Sequence, residues 1–77
     1  MDKYINALKK GSEIVIVSND IYSNSSIFYM DIKTGVIYTF SRFFGLFPRT
    51  DITLETIAEH CLNSEKDCEI FIRGYDE

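Results

Sequence analysis

The run Ile14-Val15-Ile16-Val17 constrains this chain more than any other feature. Four β-branched residues in succession favour a strand, because their side chains suit a pleated surface and lose rotamer freedom in a helix. No polar residue alternates among them, so the strand must be covered on both faces or lie at the centre of a sheet. The chain has 77 residues, one small domain spanning 1–77 with no room for a second core. A domain of this size buries only roughly 60% of the surface its unfolded chain exposes, and its stability is on the order of 5 kcal/mol. Where its large apolar side chains go therefore decides the fold.

The segments around that strand have readable periods. Residues 2–10 form a short helix: Tyr4 or Ile5 with Leu8 makes an apolar edge, Lys9 and Lys10 suit the helix end, and Gly11 stops it. Residues 19–25 read as a polar loop of Asn, Asp and Ser. A second strand covers 26–31, and Asp31-Ile32-Lys33-Thr34-Gly35 is a hairpin turn with Gly35 at the position needing positive φ. The third strand runs from Val36 to Phe40 or further, and Ile27, Tyr29, Ile37 and Thr39 share one face if the register follows the turn. A helix over 54–63 carries the stripe Leu54, Ile57, Ala58, Cys61 and Leu62, with Thr53 or Asp51 as its cap. The last strand, 68–75, turns Cys68, Ile70 and Ile72 to one side and Glu69, Phe71, Arg73 and Tyr75 to the other. The expected class is α+β, in the order α-β-β-β-α-β. The sheet is four-stranded and mostly antiparallel, with the second helix packed on one face. Its other face is left to Phe71, Tyr75 and some of the hairpin aromatics.

Charge narrows the function classes. Residues 1–50 carry six basic and four acidic side chains, and 51–77 carry two basic and eight acidic, so +2 and −6 give the net −4. An acidic C-terminal third repels phosphate and anionic membrane, and it suits a basic protein partner. No apolar run approaches the ~18 residues of a membrane span, and the lysines near the N-terminus precede no apolar segment of a secretory signal. The expected location is the cytoplasm, that of the host if the protein is viral. Cys61 and Cys68 lack the spacing of a redox or zinc pair, and two small thiols in a reducing cytosol fit them best. Eleven Ile against two Ala, with no Trp or Gln, suggest an AT-rich genome, bacterial or viral.

Chemistry is sparse. The single His60 stands on the polar side of the second helix beside Glu55 and Glu59, a pattern of a solvated face and not of a triad. The four glycines at 11, 35, 45 and 74 are isolated, so no phosphate loop exists. Catalysis, cofactor and metal are not expected.

One segment stands out for binding. Residues 40–49 hold four of the six Phe, the only Pro and two of the three Arg, with no acid. Gly45 and Pro48 make part of it a loop. Phe, Tyr and Arg are the residues enriched at interface hot spots. Arg42, Phe43, Phe44, Leu46, Phe47 and Arg49 are therefore the expected partner-binding residues, with Glu55, Glu59 and Tyr75 as acidic and aromatic additions. Two or three of the apolar residues from Phe40 to Phe47 are needed for the core.

The favoured reading is a non-catalytic protein-binding module. In type, though in no motif, it resembles phage-encoded inhibitors of host or defence proteins, anti-CRISPR proteins among them, which act by occlusion. One alternative is a homodimeric structural or regulatory protein joined through edge strands or the aromatic loop. Another is a weak single-stranded nucleic-acid binder using Tyr29, Tyr38 and Phe40 with Phe43, Lys33, Arg42 and Arg49, which the pI of about 4.8 disfavours.

Overall fold

In a computed structural model of the protein, residues 2–18, 25–41 and 45–74 are described. Elements follow in the order α1 (Asp2–Lys9), β1 (Glu13–Ser18), β2 (Ser25–Met30), β3 (Ile37–Ser41), β4 (Gly45–Arg49), α2 (Leu54–Ser64) and β5 (Cys68–Arg73). All neighbouring strands are antiparallel, and the sheet runs β4-β3-β2-β1-β5. The class is α+β, as expected, but the sheet has five strands and not four. Of the polar loop expected at 19–25, residues 19–24 lie outside the described residues.

β1 is an interior strand, flanked by β2 and β5. Its Ile14 and Ile16 lie in one buried cluster with Tyr4 and Leu8 of α1, Ile37 of β3, and Ile57, Ala58 and Cys61 of α2. Both helices therefore cover the same face of the sheet, and Phe28, Met30, Ile52, Leu54, Cys68 and Ile70 pack around the cluster. The stripe expected on α2 is one residue narrower. Leu62 stands about 100° round the helix from Cys61 and is 38% exposed. Thr53 caps α2, its side chain accepting from the Thr56 N–H at 3.2 Å.

α1 ends in a Schellman motif. The Ser12 N–H donates to the Ala7 carbonyl and the Gly11 N–H to that of Leu8, both at 3.0 Å. Gly11 sits at φ 86°, in the left-handed region where a Cβ is strained.

Two expectations are corrected. The extra strand is β4, built from half of the segment expected to be loop. Gly45 opens it at φ 73°, and Pro48 is tolerated because β4 is an edge strand, where half of the N–H groups face away from the sheet. The second correction concerns the hairpin. Asp31 N–H donates to the Val36 carbonyl at 2.9 Å, so Val36 belongs to the connection and Met30 pairs with Ile37. That shift of one residue turns Ile37 and Thr39 away from Ile27 and Tyr29, because side chains alternate along a strand. Ile37 joins the core, and the Thr39 hydroxyl donates to the Ile27 carbonyl at 3.1 Å.

Gly11→Ala keeps the fold and lowers its stability by about 1–2 kcal/mol, the penalty of a side chain in the left-handed region. Urea unfolding checks this, with a lower midpoint and an unchanged slope as the expected result.

Candidate functional site

The helices leave the second face of the sheet uncovered among the described residues, and side-chain alternation decides what it displays. Val15 pairs with Phe71 on one side and Ile27 on the other. Continuing the β2–β3 register sets Phe40 beside Ile27, and Phe40 pairs with Leu46. The result is an apolar row, Leu46–Phe40–Ile27–Val15–Phe71, with one residue from each strand. At ~4.8 Å per strand it is roughly 19 Å long. Val15 is buried, whereas Phe71, Phe40 and Leu46 are 47%, 48% and 55% exposed.

A second row runs parallel to the first. Tyr38 pairs with Pro48 and with Tyr29, whose ring lies 6.2 Å from the Tyr38 ring at a tilt of 33°. Glu13, which pairs with Arg73, stands next along it. Between the two rows is a recess of about 250 Å³ lined by Glu13, Ile27, Tyr29, Phe40 and Leu46. One carboxylate thus stands at the edge of an otherwise aliphatic and aromatic floor.

The residues singled out in the sequence do not form one cluster. Leu46 is on the open face. Phe47 and Arg49 alternate to the helix side, since Phe47 pairs with Thr39 and Arg49 with Ile37. Arg49 makes a two-pronged contact with Asp51, Nε to Oδ1 and Nη2 to Oδ2, each 2.9 Å. That contact raises the Arg49 pKa and lowers that of Asp51. Glu55 and Glu59 are exposed on α2, behind the sheet from Leu46. Arg42, Phe43, Phe44 and Tyr75 lie outside the described residues.

Of the aromatic platform considered for nucleic acid, Tyr29, Tyr38 and Phe40 do come together. Arg49 is on the opposite side and Lys33 is in the hairpin turn. Among the described residues, the charged ones on the open face of the strands are Glu13, Glu69 and Arg73, two acidic and one basic. Val15 and Ile27 are not among the partner-binding residues expected from the sequence. The alternation of Ile27, Tyr29 and of Tyr38, Phe40 holds the signal, once the register is known.

Two titratable groups near the core are shifted by burial. Tyr4, buried between α1 and α2, donates its hydroxyl to a carboxylate oxygen of Glu65. Burial first, and then this hydrogen bond and the negative charge of Glu65, push the Tyr4 pKa up to about 12. Burial and Glu65 push the Cys61 thiol up to about 11, against a weaker opposing pull from Lys3, and so keep it unreactive. Cys61 and Cys68 are free thiols. The exposed His60 sets its ring nearly perpendicular to Phe28, 6.2 Å between centroids. Among the described residues, no group of three or more His, Cys, Asp or Glu is placed to hold a metal ion. No helix among them is long and apolar enough to cross a membrane. No protein family, curated protein or solved structure matches the chain.

The Tyr4 contact has a pH signature. The folded state holds this proton more tightly than the unfolded chain, whose tyrosine titrates near 10. Its contribution is therefore complete below pH 10 and is lost as pH rises toward 12. Tyr4→Phe removes that alkaline loss, and urea unfolding of both proteins on either side of pH 10 measures it.

Proposed function

We propose that this protein is a non-catalytic protein-binding module that takes its partner on the open sheet face. The observation that carries the reading is the row Leu46–Phe40–Ile27–Val15–Phe71, whose outer members are about half exposed. Contiguous apolar surface of this kind marks an interaction site more often than plain solvent-facing sheet, where polar residues alternate outward. Phe and Tyr also have the rigid area that hot spots favour.

The recess beside the row supports a basic side chain as the partner's contact there. A Lys or Arg of the partner lays its stem on Tyr29 and Phe40 and turns its charged end toward Glu13. The net charge of −4 steers a basic protein surface toward the module. Binding there covers the partner's basic surface, the action of an inhibitor that occludes a nucleic-acid-binding host or defence protein. The exposed Glu55 and Glu59 on α2 add to the long-range attraction without touching the partner in this geometry.

Phe40→Ala weakens the complex by more than ~1 kcal/mol while the unfolding midpoint stays in place, because the ring is half exposed. The experiment is an affinity isolation with tagged wild type, Phe40→Glu and, as a control on the helix layer, Leu62→Glu. A protein held by wild type and Leu62→Glu but lost from folded Phe40→Glu supports the open face. A partner held equally by all three, or none that discriminates the two variants, overturns it.

A further inference from the structure

The two edges of the sheet are unlike. β4 carries Gly45 and Pro48, which blunt an edge against further pairing. β5 is six residues long, Cys-Glu-Ile-Phe-Ile-Arg, with no proline, glycine or lysine, and it has β1 as its one strand neighbour among the described residues. Its Phe71 and Ile72 are 47% and 41% exposed. Ile72 is notable because it pairs with the fully buried Ile14 on the helix-covered side. It stands on the end strand of the sheet, with no further strand beyond it among the described residues.

The sequence of β5 is complementary to itself about Phe71. Reading outward, Ile70 mirrors Ile72, and acidic Glu69 mirrors basic Arg73. We infer that β5 pairs antiparallel with β5 of a second copy of this chain, about a two-fold axis at Phe71, to make a continuous ten-stranded sheet. In that register Phe71 faces Phe71 of the second copy on the open face. Glu69 faces Arg73 of the second copy on that same face, twice over, as a two-fold interface requires. On the helix side Ile70 covers the exposed Ile72 of the second copy, and Cys68 meets Gly74, which has no side chain to obstruct it.

Other registers lose these matches. An axis one residue to either side sets Glu69 or Arg73 against Phe71. Parallel pairing aligns Glu69 with Glu69 and Arg73 with Arg73, and like charges directly opposite are unfavourable. The charge pattern therefore selects one register and closes the edge as a dimer instead of leaving it open to serial addition. The inference goes beyond the binding role proposed for the open face and does not rest on it. It joins the two apolar rows end to end at Phe71.

Light scattering on the eluting protein at micromolar concentration tests it. Wild type elutes with twice its 8.9 kDa mass. Arg73→Glu alone and Glu69→Arg alone each weaken the dimer at least tenfold, because each sets like charges opposite in both pairs. An equimolar mixture of these two variants regains the doubled mass, which also shows that the single variants fold, and the double variant Glu69→Arg/Arg73→Glu regains it alone. Phe40→Glu leaves the mass doubled. A monomeric wild type, or a dimer indifferent to the single charge reversals, overturns the inference. So does a dimer lost on Phe40→Glu, which places the contact on the sheet face instead. Partner loss in Phe40→Glu stands or falls independently of these masses.

Discussion

Two short helices cannot cover both faces of a five-stranded sheet, and the rest of the structure follows from which face they take. α1 has eight residues and α2 eleven, about 12 and 16 Å at 1.5 Å per residue. They meet over Ile14 and Ile16, where Tyr4, Leu8, Ile57, Ala58 and Cys61 close a dry layer. All of the deeply buried large side chains belong to this layer. Val15, between the two isoleucines, faces the other side, where it pairs with Ile27 and Phe71. The unbroken β-branched run of β1 is thus served by helices on one side and by a ridge of its own sheet on the other.

The polar groups that enter the covered layer are hydrogen-bonded, and one of them ties the first helix to the end of the second. The Tyr4 hydroxyl reaches Glu65, just past the end of α2, so the first helix is tied to residues late in the chain. Thr39 is buried beneath the layer and uses the Ile27 carbonyl. No buried side-chain nitrogen or oxygen among the described residues lacks a hydrogen bond. This face has the finished character of a core, whereas the opposite one keeps aromatic rings in the open, and the proposed function lies on that asymmetry.

The elements that local periodicity controls were legible in the residues. The β1 run, the stripe on α2 with its Thr53 cap, the stop at Gly11 and the alternation of β5 all depend on neighbours within a few positions. β4 was not legible because Gly45 and Pro48 break strands in general, and only an edge position makes them harmless. That position is a property of the whole sheet. The face of Ile37 and Thr39 turned on whether Val36 belongs to the hairpin connection, a difference of one residue that no propensity resolves. The binding segment was found in part for the same reason. Composition drew notice to residues 40–49, but alternation sends Leu46 one way and Phe47 and Arg49 the other. The partners of Leu46 on the open face come from β1, β2, β3 and β5, scattered along the sequence.

The placement of β1 between β2 and β5 also sets the order in which the molecule can assemble. β2 begins at residue 25, soon after β1 ends, whereas β5 begins at residue 68. During synthesis the β1–β2–β3 meander can form while one side of β1 still has no partner, and α1 waits for α2 before its Tyr4 is enclosed. The pairing that completes the sheet joins residues fifty to sixty positions apart, and such distant closures are slow. The strand richest in β-branched residues thus gains its second neighbour only from residues 68–73. β5 is the strand that closes that edge of β1.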